Sequence, residues 1–261
     1  MTSERKPERL VVVGCGTVVP EPDRACSCYY LELGGIRALL DCGSGALQPL
    51  ARLGLPWARL THVLLSHFHV DHIGAVPGLI FALKYGVAPP RRGMPLEIWG
   101  PPGTKALFRR LAAVLGDWLL DPGFPLSVRE IGPGETVGLG DVGLSAHKTP
   151  HTPESQAVRL ESGGHSVTYT GDTGPEGDLA AFARGSRLLV CECSLPDDEV
   201  GDNHLSPGRV ARLAVSADPE RLLLTHVYPH LRLREDVRRL VHSAGYLGAV
   251  DIAHEGWTFD F

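Results

Sequence analysis

Three histidines and an aspartate fall within six positions in Ser66-His67-Phe68-His69-Val70-Asp71-His72. Imidazole is a good ligand for zinc or iron, and a carboxylate adds a hard oxygen and local negative charge. The segment follows Leu60–Leu65, a largely apolar run of strand length that suits a strand covered on both faces. The ligand-type side chains therefore sit in the loop at a strand's end. In an extended segment His67 and His69 project to the same side and can share one ion. Asp71 and His72 come after the chain turns into a helix and so can face a second ion.

The elements around this loop are short β-like runs punctuated by glycine and proline, with a few helices between them. Arg9–Val13, Cys28–Leu33 and Ile36–Leu40 read as strands, the last two joined by a Gly34-Gly35 hairpin turn. Ser44–Leu53 has helical spacing and stops at Gly54, Ile73–Tyr85 is helical despite Pro77, and Thr104–Leu115 is a helix with Thr104 as its N-cap. Leu96–Trp99 is a strand, and the stretch from Leu126 to Thr170 alternates in the manner of a meander. Arg187–Glu192 and Arg221–Thr225 read as buried strands flanking a helix near Pro207–Ala217. Glu235–Ala244 is helical, and Val250–Ala253 and Thr258–Phe261 close the chain as strands. Strands and then helices, twice over, predict two stacked sheets with helices outside, an α+β arrangement.

The bulk properties set limits. The chain has 261 residues, 43% hydrophobic and 21% charged, and is expected to form a single globular domain over 1–261. A formal net charge of −5 offers no global attraction for nucleic acid, so RNA or DNA would need a local basic patch. No apolar run is long enough to span a bilayer, and Met1–Arg9 lacks the apolar stretch of a signal peptide, so a cytoplasmic location without a membrane partner is expected. Cys26/Cys28 and Cys191/Cys193 are spaced i, i+2 rather than as the CxxC of a zinc hook. With Cys15 and Cys42 they read as reduced core thiols.

His67-Phe68-His69-Val70-Asp71-His72 resembles the HxHxDH signature of the metallo-β-lactamase superfamily. Val13-Gly14-Cys15-Gly16-Thr17, with Pro20 and Arg24, looks like the opening motif of its ribonuclease Z branch, and Asp41-Cys42-Gly43 is similar to the superfamily's Asp-x-Gly turn. The resemblance implies a four-layer αββα sandwich, with two mixed sheets face to face and a dinuclear site at one edge. It also supplies the remaining metal ligands. His151 stands where the family places its third histidine, with His147 as a rival four residues earlier. Asp172 matches the bridging aspartate, and His226, at the end of an apolar strand, matches the last ligand. One ion would take His67, His69 and His151, the other Asp71, His72 and His226, with Asp172 and a hydroxide between them. Asp71 would orient or deprotonate the nucleophile, and Asp41 would hold a ligand histidine from outside. Two divalent ions are implied, zinc first, with manganese or iron served by the same ligands.

By the same resemblance His204, in Asn203-His204-Leu205-Ser206, would stand near a scissile phosphate and assist the leaving group, supported by Glu192. Its alternative is a cap on the helix that follows. Ribonuclease Z enzymes carry a long arm that grips tRNA, placed in the bacterial form between the third histidine and the bridging aspartate. Here only residues 152–171 lie between His151 and Asp172. The expectation is a hydrolase for a small or nucleotide phosphodiester, such as a cyclic nucleotide. A lactone, thioester or sulfate ester hydrolase on the same site is the alternative, and tRNA 3′ processing is disfavoured. Di-iron redox relatives place a glutamate where this chain has His69. Members of the ribonuclease Z branch are often homodimers, which makes a second copy an expected partner.

Overall fold

The computed structural model describes residues 8–88, 91–175, 177–234 and 236–261. Of the polar opening Met1–Arg9, residues 1–7 lie outside them, as does Glu235, the expected start of a helix.

The first half contains β1 (Arg9–Gly14), β2 (Cys28–Leu33), β3 (Ile36–Leu40), α1 (Leu47–Arg52), β4 (His62–Leu64), α2 (Val70–Ile73) and α3 (Val76–Tyr85). It continues with β5 (Leu96–Gly100), α4 (Thr104–Leu115) and β6 (Leu126–Glu130). The second half contains β7 (Thr136–Leu139), β8 (Val142–Lys148), β9 (Gln156–Ser162), β10 (His165–Tyr169), α5 (Gly177–Phe182) and β11 (Leu188–Glu192). There follow α6 (Pro207–Ala217), β12 (Leu222–Thr225), α7 (Pro229–Arg234), α8 (Val237–Ser243), β13 (Val250–Ile252) and β14 (Thr258–Asp260).

Two seven-stranded sheets result, in the orders β14-β1-β2-β3-β4-β5-β6 and β13-β12-β11-β10-β9-β8-β7. In the first, the pairs from β14 to β3 are antiparallel and those from β3 to β6 parallel. The second repeats the pattern, antiparallel from β7 to β10 and parallel from β10 to β13. The strand alternation explains the layering. In β1, Leu10 and Val12 point into a core shared with Leu144, Val158 and Leu160 of the facing sheet, while Val11 and Val13 pack outward with Leu79 and Ile80 of α3. On the far side Leu189 and Leu224 pack with Val210 and Ala214 of α6. The order of layers is helix, sheet, sheet, helix, as the sequence pattern implied.

Three local expectations shift. Only Leu47–Arg52 of the stretch Ser44–Leu53 is helical, because Gly45 takes φ 81° and the Ser44 hydroxyl donates to the Val70 carbonyl. The helix expected over Ile73–Tyr85 is interrupted between α2 and α3, and Pro77 falls in the first turn of α3, where a missing N–H costs nothing. Thr104 is not the cap of α4 but its first residue, its hydroxyl donating to the Pro101 carbonyl. The orphan amides there, of Gly103 and Lys105, donate instead to the Glu130 carboxylate at the end of the neighbouring β6. The six cysteines are free thiols, all buried except the partly exposed Cys26. Among the described residues, no group of possible metal ligands includes a cysteine.

Candidate metal centre

Most residues of the predicted centre lie at or just beyond the C-terminal end of a strand in the parallel part of a sheet, where open α/β sheets bind ligands; His151 instead follows the antiparallel strand β8, and Asp71 and His72 stand on α2. Asp41 follows β3, His67 and His69 follow β4, Asp172 follows β10, Glu192 ends β11 and His226 follows β12. His69 is the extended residue before α2, with φ −64° and ψ 148°, so the first two histidines leave from extended chain and Asp71 and His72 from a helical turn. Gly43 lets the Asp41 turn close onto this helix, since a Cβ there would run into the Asp71 carbonyl. Asp41 and His226 hold left-handed backbone conformations, φ 54° and 52°. For residues with a side chain these cost about 1–3 kcal/mol each and persist only where the surroundings over-determine them.

The ligand atoms converge in groups. His67, His69, His151 and Asp172 form one, and Asp71, His72 and His226 a second; within each, the ligand atoms lie within 4.8 Å of one another. Asp172 stands between them, with Oδ1 3.3 Å from His72 Nε2 and Oδ2 3.6 Å from both His151 Nε2 and His226 Nε2. His69 offers Nδ1, 3.1 Å from His151 Nε2. Asp71 Oδ2 is 3.4 Å from His226 Nε2.

Hydrogen bonds from behind decide which nitrogen of each ring is free. Asp41, fully buried, accepts from the Ser66 amide (2.8 Å), the Ser66 hydroxyl (2.7 Å), the Tyr169 hydroxyl (2.7 Å) and His72 Nδ1 (2.7 Å). Because Ser66 spends its proton on Asp41, its oxygen can only accept from His67 Nδ1, 3.0 Å away. The same relay recurs across the site: Ser194 donates to Glu192 at 2.6 Å and accepts from His226 Nδ1 at 3.0 Å. His151 Nδ1 donates to the Asn203 carbonyl at 2.9 Å. Four rings thus carry their proton on Nδ1 and turn a bare Nε2 inward, the arrangement by which outer partners orient metal-binding histidines.

The inner atoms lack partners without an ion. His67 Nε2 and His72 Nε2 are buried and make no hydrogen bond. An orphaned buried nitrogen costs about 1–3 kcal/mol. Electrostatics agree. Burial opposes charge on Asp172, yet His226, His72 and His67 outweigh it and hold its pKa well below the usual carboxylate value. Burial likewise opposes charge on His72, but Asp172 and Asp41 outweigh it and raise its pKa well above the ordinary one. For His67, burial and then the neighbouring His72 drive the pKa well below normal. Carboxylates that favour positive charge at His72, beside a His67 ring kept neutral, suit a multivalent cation in place of an extra proton, and the residues present fit two divalent ions.

Residues 22–226 match the metallo-beta-lactamase superfamily. The chain belongs to that superfamily. An uncharacterized protein of Mycobacterium leprae is 34% identical over 97% of this chain and 88% of its own. Ribonuclease Z of Haloferax volcanii is 28% identical over 95% of this chain and 93% of its own. The crystal structure of the metallo-beta-lactamase fold protein YhfI from Bacillus subtilis superimposes with a TM-score of 0.86 at 28% identity, covering 98% of this chain and all of that one.

Within this superfamily fold, the two rival third histidines part company. His151 lies in the first ligand group, whereas His147 on β8 stacks on Phe182, with ring centroids 5.1 Å apart. His147→Ala is expected to leave metal content near that of the unaltered protein, while His151→Ala reduces it. Elemental analysis of the two variants checks this, and the reverse outcome would show the third ligand to be His147.

Glu192 is fully buried and bonded on all sides, accepting from the Thr173 amide (2.6 Å), the Leu205 amide (3.1 Å), the Ser194 hydroxyl and His204 Nδ1 (3.0 Å). It cannot reach a substrate and acts on its neighbours' positions. His204 faces the cleft, with ring centroids 4.8 Å from His151 and 5.8 Å from His226. Burial opposes its charge, but the Glu192 hydrogen bond outweighs it and raises its pKa above the ordinary histidine value. The cap of α6 belongs to Ser206, which accepts from the Arg209 amide, so the alternative reading of His204 as the cap does not hold. The cleft above the ligands has a volume of about 410 Å³ and includes Val18, Val70, Asn203 and Tyr228 in its walls, none of them singled out by the sequence pattern. Val70 is an isolated apolar residue between His69 and Asp71, and it and Val18 reach the site only through the folding of their loops.

Proposed function

We propose that this superfamily member is a phosphodiesterase for small or nucleotide substrates, working with two divalent ions. The observation that carries the reading is His204, held by Glu192 beside the ligand groups. An alkoxide leaving from phosphorus needs a proton, and a histidine with a raised pKa can supply one near neutral pH. A ribonuclease Z relative, an enzyme of phosphodiester bonds by its name, aligns over nearly the whole chain.

His67, His69 and His151 would hold one ion and Asp71, His72 and His226 the other, with Asp172 shared. Ions in such a pair lower the pKa of water toward neutrality and clamp the attacked group in line. The chain's own residues do the rest. Asp71, at the cleft wall, accepts a hydrogen from the attacking water and so orients it. Burial raises the pKa of Asp71, but the neighbouring His226 and His72 outweigh it, keeping the carboxylate ionised for this task. Glu192 accepts the hydrogen bond of His204 Nδ1, leaving Nε2–H of the protonated ring for the departing oxygen.

The reading excludes a tRNA-gripping role for residues 152–171. They form the hairpin of β9 and β10, closed at Gly163-Gly164, both in left-handed conformations. With zinc or manganese supplied, the protein is expected to hydrolyse bis(p-nitrophenyl) phosphate with little or no removal of a pre-tRNA 3′ trailer. Assays of the pure protein on this diester, on lactone, thioester and sulfate ester substrates, and on pre-tRNA test the proposal. Faster turnover of a lactone, thioester or sulfate ester would replace the reading, and efficient trailer removal at physiological salt would require a docking surface elsewhere.

A further inference from the structure

We propose that the phenol of Tyr228 donates a hydrogen bond to a non-bridging phosphoryl oxygen of the bound substrate, as a substrate-contacting residue outside the metal ligands. The inference rests on the phosphodiester reading for the identity of the ligand. Tyr228 lies two residues beyond His226, where the turn into α7 carries it back over the cleft. Its amide donates to the Ser194 carbonyl at 3.1 Å, tying it to the serine that orients His226. Its ring stands edge-on to His226, with centroids 5.7 Å apart and planes at 77°, and to His204 at 6.4 Å and 71°. The ring is thus fixed on two sides, and it lines the same cleft as Asp71, Asp172 and His204. Among the described residues its hydroxyl has no hydrogen-bond partner.

Apart from the ions, the cleft offers a phosphoryl oxygen few hydrogen-bond donors, and this hydroxyl is one of them. A phosphodiester brings two non-bridging oxygens that share a negative charge. Among the described residues no lysine or arginine lines the cleft, and its carboxylates can only accept. The inward nitrogens of the ligand histidines are bare, and His204 is committed to the leaving oxygen. The outer Nε2–H of His69, Asn203 at the rim and Tyr228 are the uncommitted side-chain donors that remain; His69 and Asn203 are exposed, whereas Tyr228 is half-buried and holds no ion.

Tyr228→Phe removes one oxygen and keeps the ring against His226, and Tyr228→Ala removes both. The full-length protein reconstituted with zinc is titrated with inorganic phosphate, and zinc content is measured alongside. Tyr228→Phe is expected to bind phosphate roughly tenfold more weakly, the scale of a hydrogen bond to a charged group, with zinc content unchanged. Its kcat/KM on bis(p-nitrophenyl) phosphate falls by a similar factor. Phosphate affinity within about twofold of the unaltered protein in Tyr228→Phe would overturn the proposal, leaving the ring a packing role. Failure of the unaltered protein to bind phosphate at all would also overturn it. Failure of the phosphodiester reading shows separately, as absent diester turnover by the unaltered protein.

Discussion

Replacing Asp172 with alanine is expected to remove metal and activity together. The unaltered protein should hold about two transition-metal ions per chain, since two ligand groups share this one carboxylate. Its oxygens sit within 3.3–3.6 Å of the bare nitrogens of His72, His151 and His226, so a single truncation opens both groups at once. Turnover should fall on the order of 10³-fold or more, because activation of the water and clamping of the substrate both depend on the ions. Asp172 also lies beside the fully buried His72, and its loss leaves that ring with Asp41 at 2.7 Å and Asp71 at 3.9 Å as its carboxylate neighbours. Elemental analysis and rates on a phosphodiester, measured on one preparation, decide the matter. A variant that keeps its full metal content while losing activity would show that Asp172 does not bridge.

His204→Ala should separate catalysis from metal binding. The variant is expected to keep its ions and still bind substrate, while turnover of an unactivated phosphodiester falls by roughly 10²–10⁴-fold, the usual scale of general acid catalysis. The loss should shrink for bis(p-nitrophenyl) phosphate, whose leaving group departs without a proton. Glu192 supplies the reason for expecting a donor, since its carboxylate both orients His204 and favours the protonated ring. Rates on the activated and unactivated esters, with metal content as control, test the assignment. Equal losses on the two esters would rule out proton donation, and loss of an ion would place His204 among the ligands with Asp172 and His226, a grouping the geometry also permits.

Much of this molecule is legible in the order of its residues, because two of its signals are local. Strand alternation in Arg9–Val13 and the double-sided burial of Leu60–Leu65 follow from side chains that point to opposite faces at every step. The ligands His67, His69, Asp71 and His72 are equally local, since one change from extended chain to helix within six residues distributes them. The distant ligands were readable only by resemblance. Nothing in the spacing of His151, Asp172 and His226 says that the ends of β10 and β12 meet the end of β4. Helix boundaries failed where a tertiary contact intervened. Glu130 displaced Thr104 as the cap of α4 because a carboxylate from the next strand reaches two amides at once. The α5 and α7 helices, six residues each, were missed because so short a segment has too few residues to show a period.

The sequence by itself determined the ligand types and the strand pattern of the two sheets, through composition and periodicity along the chain, and the family through the resemblance of its His67–His72 motif. Only the tertiary structure separates His147 from His151, placing the second among the other ligand-type side chains and the first against Phe182. It alone also decided that Ser66 and Ser194 relay Asp41 and Glu192 to His67 and His226, and that Tyr228 stands over the cleft with its hydroxyl unpartnered among the described residues. The direction of a hydrogen bond and the accessibility of one oxygen depend on distances between residues far apart in the chain, and those distances come into being only when the two sheets pack face to face.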